Sequence, residues 1–250
     1  MRRWKNRMTG LPGSREPSDF RRHLPARLAI IVAAAAVLTI GVAAAQSAGW
    51  ADTSRPGSVA DRPEDICPIL VGSELPPIEL RTPTGAAFDL NAAARAQPTV
   101  LIFYRGGWCP FCSRHLAQLQ TVQQDLSALG YQILAVSADR PAKLTAPVEE
   151  HDLEYQLLSD STMAAARALG IAFEVPDETV QKYKNDYNID LEADSGETHH
   201  QLPVPAAIVL DREGMVRFIH VDPDYRSRID PELLLAAARV ALEKEKENEQ

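Results

Sequence analysis

The stretch VLIFYRGGWCPFCSRHL, Val100 to Leu116, sets Cys109 and Cys112 three positions apart where an apolar run ends and a mixed one begins. Such a pair can hold a metal, close a structural disulfide, or pass electrons to a substrate. If it passes electrons, the oxidant is another disulfide or a peroxide. Tetrahedral zinc needs four ligands, and only Cys67 and the adjacent His199 and His200 remain to complete a set, without ligand-like spacing. Covalent haem needs His directly after the second cysteine, where this chain has Ser113. A structural disulfide closing so short a loop removes little chain entropy. A redox pair is therefore the reading, with no metal and no cofactor.

The chemistry requires the pair to sit at a helix start. There the first N–H groups lack intrahelical partners and the dipole is positive, so a thiolate is stabilised and becomes nucleophilic near neutrality. Pro110 suits the first helical turn, where its missing N–H costs little. On this reading Cys109, at the exposed end, attacks, and Cys112 resolves the mixed disulfide. Trp108 flanks the pair as a docking or packing surface, and Arg105 supplies a nearby cation. His115 is expected on a solvated helix face, Asp139 as a cap after its strand, and His199 and His200 in a polar loop. Cys67 reads as a small apolar residue in a first strand region.

The flanking pattern supplies the elements. PTVLIFYR is short, apolar and β-branched, the mark of a buried strand. In the next segment Leu116, Leu119, Val122, Leu126 and Leu129 recur at helical spacing up to Gly130, a stop signal. YQILAVSAD and YQLLSD read as further strands, with STMAAARALGI as a helix opened by a Ser/Thr cap. Strand and helix alternate, which implies right-handed crossovers and a parallel core. AAIVLDREGMVRFIHV adds a hairpin around DREG, and a helix closes the chain. The polar stretch Phe173 to Pro203 reads as a surface insertion.

The N-terminus is different in kind. Up to Arg27 the balance is +6, leaving −14 on the rest of a chain whose net charge is −8. An acidic body excludes nucleic acid as the partner. Leu28 to Ala45 is an uncharged apolar run between a basic flank and a small-residue junction. It is expected to be an export signal or a single membrane anchor, with the N-terminus touching the membrane and the body outside the cytoplasm. The division is then 1–45 signal or anchor, 46–65 flexible linker, and 66–250 redox domain.

FYRGGWCPFC and LPVPAAIVLDREGMVRFIHVDPDY together resemble the peroxiredoxin-like (AhpC/TSA) branch of the thioredoxin-like superfamily, over roughly Ile69 to Leu242. The resemblance implies an α/β thioredoxin-like fold, a central mixed sheet flanked by helices. It implies that Pro205 occupies the place of the thioredoxin proline that follows a cis bond and shapes the docking edge. It also implies an electron donor, thioredoxin-type or membrane-borne. Peroxiredoxins carry Pro, three residues, Thr, two residues, Cys; here Arg105 stands at the proline, Cys109 at the threonine and Cys112 at the peroxide-reactive cysteine. The family's later arginine is replaced by Pro205. Those departures favour protein thiols and disulfides as substrates, with Cys109 attacking. The alternative is a thiol-dependent peroxidase with Cys112 peroxidatic and Cys109 resolving; a non-enzymatic module with a structural disulfide is the third reading.

Overall fold

The computed structural model describes residues 57–144 and 153–248. The expected signal or anchor, residues 1–45, lies outside them, and no helix among the described residues is long and apolar enough to cross a membrane. Of the expected linker only residues 57–65 are described, and they pack on the domain. Gly57 N–H donates to the Arg167 carbonyl, and Ala60 bridges Phe173 and is buried.

Seven strands form one mixed sheet: β1 (Glu79–Arg81), β2 (Ala87–Asp89), β3 (Thr99–Tyr104), β4 (Gln132–Ser137), β5 (Gln156–Ser159), β8 (Ala206–Leu210) and β9 (Val216–Val221). Their order is β2-β1-β5-β4-β3-β8-β9. β3, β4 and β5 are parallel, while β8 and β9 run antiparallel at one edge, as the hairpin signal predicts. A second antiparallel hairpin, β1–β2, closes the other edge. It was illegible because its strands are three residues each.

The central strand explains its own sequence. All six residues of β3 are buried, so both faces must be apolar. Its period of two divides the core. Val100, Ile102 and Tyr104 face the layer under α2 (Pro110–Ala128) and α6 (Pro231–Asn248), and Leu101 and Phe103 face the other. That second layer is covered by α1 (Leu90–Ala96) and α3 (Ala164–Ala168).

α2 buries Cys112, His115, Leu116, Leu119, Val122 and Leu126. It closes as its sequence predicts, with Gly130 at φ 91° and its N–H on the Ser127 carbonyl. The cap of α3 differs from expectation. Met163 takes φ 58°, and buried Asp160 accepts from Ala165 N–H at 3.0 Å and Ala166 N–H at 2.8 Å. A carboxylate holding two N–H groups displaces Ser161 and Thr162 from that role.

The polar insertion is ordered secondary structure rather than loop. Strands β6 (Ala172–Glu174) and β7 (Gln201–Pro203) pair at its base, and α4 (Asp177–Tyr187) and α5 (Leu191–Ser195) lie between them. Val180 and Leu191 are buried, and Lys184 pairs with Asp190 at 2.8 Å. Those few anchors suffice for an element whose remaining face is solvated.

Candidate active site

Arg105 to Cys112 is the turn from β3 into α2. Gly106 is required by a close approach: a Cβ there would lie 2.3 Å from Trp108 Nε1 and 2.8 Å from Asp139 Oδ1. Gly107 N–H donates to Asp139 Oδ2 at 2.7 Å, and Ser137 Oγ lies 3.0 Å from the same oxygen. Asp139 therefore ties the cysteine loop to the end of β4 instead of capping the next segment. Burial pushes its carboxyl up to about 7.

Cys109 is the N-cap of α2 and Pro110 its first residue. The Cys112 and Ser113 N–H groups both reach the Cys109 carbonyl at 3.0 Å. Hydrogen bonding from the Cys112 side chain, opposed by burial and helped by the Arg105 charge, lowers Cys109 to about 6. Burial and the neighbouring Cys109 push Cys112 well above the ordinary thiol range. Of the two sulfurs Cys109 is therefore the more readily ionised and Cys112 the more reluctant. Both are free cysteines, 1% and 0% exposed. This corrects the expectation of an exposed Cys109: it is buried in the core layer against which Trp108 and Phe111 pack.

Arg105 lies among aromatic rings. It is 4% exposed, and its guanidinium carbon lies 4.4 Å from the Tyr225 ring centre, 5.0 Å from that of Trp108 and 5.5 Å from that of Tyr183. Cation–π contact with three rings offsets part of the cost of burying a cation. Its Nη2 donates to Tyr183 Oη at 2.5 Å, while Nε has no partner. Trp108 thus packs inward on Arg105 and on Tyr183, with ring centres 6.1 Å apart. Phe111 meets Tyr225 edge-on at 5.7 Å.

A second arginine serves the other sulfur. Arg228 Nη2 donates to Cys112 Sγ at 3.2 Å, and its Nη1 donates to the carbonyls of Tyr225 and Ser227. Neither Arg105 nor Arg228 has a carboxylate ion pair among the described residues. Two guanidiniums beside the cysteine pair make a site for negative charge.

Of the residues singled out from sequence, Arg105, Trp108, Cys109, Pro110 and Cys112 come together here. Pro205 borders a small cavity with His115 and Arg228, on the Cys112 side. The expected cis bond before it is absent: every peptide bond among the described residues is trans. Val204 N–H is bonded to the Ile171 carbonyl, so β7 runs extended into β8, and the intrinsic preference for trans is not overridden. His115 is 3% exposed, not solvated, because the loop carrying Arg228 and Ile229 covers that face of α2. His199 bonds to the Ser161 carbonyl at 2.8 Å, tying the insertion to the segment before α3, and His200 bonds to Glu192 at 3.0 Å within the insertion. Cys67 lies elsewhere, its carbonyl packed on Gly170. Sequence reasoning missed Tyr183, Tyr225 and Arg228; the aromatic-basic run YRSR before α6 was the available signal.

A model of the AhpC/TSA family matches residues 71–219. The chain belongs to the AhpC/TSA family. Its members include the peroxiredoxins, and this AhpC/TSA domain is a peroxiredoxin-like member of the thioredoxin-like superfamily. A curated relative, the putative peroxiredoxin bcp of Haemophilus influenzae, is 28% identical over 104 residues. The match covers 42% of this chain and 66% of that protein. Peroxiredoxin Bcp of Escherichia coli K12 is 26% identical over the same shares. Among solved structures, reduced Prx3 of Vibrio vulnificus in complex with H2O2 superposes with a TM-score of 0.56 at 21% identity, over 68% of this chain and 99% of that one. Peroxidoxin BcpB of Mycobacterium tuberculosis gives 0.54 at 18%, over 68% and 96%. These likenesses show the fold.

Proposed function

We propose that this protein is a thiol-dependent peroxidase whose Cys109 and Cys112 cycle between dithiol and disulfide. The observation that carries the reading is the burial of both sulfurs beside two arginines without carboxylate partners. A protein disulfide cannot reach a cysteine that is 1% exposed without displacing the side chains packed around it. A peroxide group, two oxygen atoms, is far smaller. The peroxidase reading thus replaces disulfide exchange as the preferred one, supported by likeness to proteins named peroxiredoxins.

The roles of the pair follow from the charge. Cys109 thiolate attacks the terminal peroxide oxygen, which keeps its hydrogen, the O–O bond breaks, and the departing alkoxide or hydroxide takes a proton from solvent to leave as alcohol or water. Arg105 Nε, a buried donor without a partner, is available to that developing charge. Cys109 is left as a sulfenic acid. The Cys112 sulfur then attacks it, the S–O bond breaks, and water leaves with the Cys112 proton. Two electrons have passed from the thiols to the peroxide. An external dithiol returns them by attack on the disulfide. This assignment exchanges the roles that the family's register implies, because Cys109 is the sulfur whose titration is lowered and Cys112 the one whose titration is raised.

The experiment is peroxide consumption by the reduced protein, with mass spectrometry of single cysteine variants. Cys112→Ser is expected to trap a sulfenate on Cys109, and Cys109→Ser to abolish rapid peroxide reduction. A wild-type protein that leaves peroxide unreduced while exchanging disulfides with a protein substrate would overturn the reading. A sulfenate appearing on Cys112 in Cys109→Ser would restore the register-based roles.

A further inference from the structure

We propose that His115 is a positioning residue, holding Arg228 on Cys112 through one water bound in the cavity the two side chains share. His115 is three residues beyond Cys112 on α2 and is buried in a layer that is otherwise almost wholly apolar. The ring lies beside the Ile229 backbone, which favours a proton on the imidazole, and in the proposed tautomer that proton sits on Nδ1. Nε2, the remaining nitrogen, is buried and has no partner. It therefore presents a lone pair, and a buried acceptor left unsatisfied carries a desolvation cost.

Arg228 has the complementary defect. Its Nη atoms are committed to the Tyr225 and Ser227 carbonyls and to Cys112 Sγ, while Nε is buried without an acceptor. Both side chains border the same small cavity, with Phe103, Pro205, His220 and Ser227, and it has room for about one water. An unsatisfied donor and an unsatisfied acceptor on one cavity of that size define its occupant. A water accepting from Arg228 Nε and donating to His115 Nε2 satisfies both. It also fixes the plane of the guanidinium, and so the N–H directed at Cys112. Burial and the nearby Arg228 and His220 lower His115 to about 4, which keeps its lone pair available at neutral pH. Asp224, whose carboxylate feels Arg228, also faces this cluster, and Cys112 itself is faced by Cys109 from the turn and by Tyr104 from β3.

The inference concerns the titration of Cys112 and holds whichever oxidant the pair meets. Its test is the pH profile of Cys112 modification by a small thiosulfonate in the Cys109→Ser background, read on the Cys112 peptide. His115→Leu removes the acceptor and is expected to raise the midpoint by about one pH unit. His115→Gln, whose amide oxygen can accept from the water, is expected to leave it nearly unchanged. Arg228→Met should raise it as well, and adding His115→Leu to Arg228→Met should bring no further shift. Equal midpoints in His115→Leu and His115→Gln, or additive shifts in the double variant, overturn the proposal. If His115→Leu does not fold, nitrogen NMR of the wild-type ring decides. The expected state is the Nδ1–H tautomer with Nε2 accepting a hydrogen bond; a protonated Nε2 at neutral pH overturns it.

Discussion

Replacing Cys112 with alanine removes the largest single cause of the low Cys109 titration, the hydrogen bond between the two side chains. A hydrogen bond to a charged group contributes about 1.5–3 kcal/mol, which corresponds to about one to two pH units in the titration of the acceptor. Cys109 then moves from about 6 into the range of ~7 to ~8. At pH 7 the thiolate fraction falls from about 90% to between about 50% and about 10%. The assay is the rate of iodoacetamide alkylation of Cys109 against pH, measured by mass spectrometry on its peptide. Burial scales the rate at every pH alike, so only the midpoint is read. Cys112→Ser keeps an O–H donor and should remain near the wild-type midpoint. An unchanged midpoint in Cys112→Ala, or a wild-type midpoint in the ordinary thiol range, would refute the assignment of the thiolate to Cys109.

Two further expectations concern the frame. Asp160→Ala frees the Ala165 and Ala166 N–H groups at the start of α3 and should cost about 2 kcal/mol, visible as a lower urea midpoint with unchanged slope. Asp139 is raised to about 7 by burial, so between about pH 4 and about pH 7 the folded state holds a proton that the unfolded state has released. Its contribution to stability is complete below that window and is lost as pH rises through it. Asp139→Asn should flatten this part of the stability–pH curve, measured by urea titration at several pH values. A curve as steep as wild type would show that Asp139 is ionised throughout.

What could be read from sequence was whatever the chain states locally. β3, the cysteine turn and α2 follow one another within thirty residues, and each carries its own signal in burial pattern, proline position and helical spacing. The parallel centre and the β8–β9 hairpin were equally legible. The site's partners were not. Tyr183 reaches Arg105 across 78 residues and Arg228 reaches Cys112 across 116, and neither residue type announces such a contact. His115 was misread for a related reason. Helix periodicity marks the stripe through Leu116 and Leu119, but the loop at Arg228 and Ile229 widens the buried face by one more residue. The insertion looked like loop because composition measures solvation, and α4 needs little more than Val180 and Tyr183 to dock.

The unpaired guanidiniums also bear on the energy of the oxidised state. Reduced, the pair carries a thiolate that offsets part of the charge of Arg105 and Arg228. The disulfide carries no charge, so oxidation leaves two cations facing a neutral bond. Stabilising the reduced form raises the reduction potential and makes the disulfide easier for a donor thiol to open. The same thermodynamic cycle runs through folding: the potential difference is also a stability difference. On the proposed cycle, oxidation lowers the electrostatic stability of this domain, and each reduction of the pair restores it.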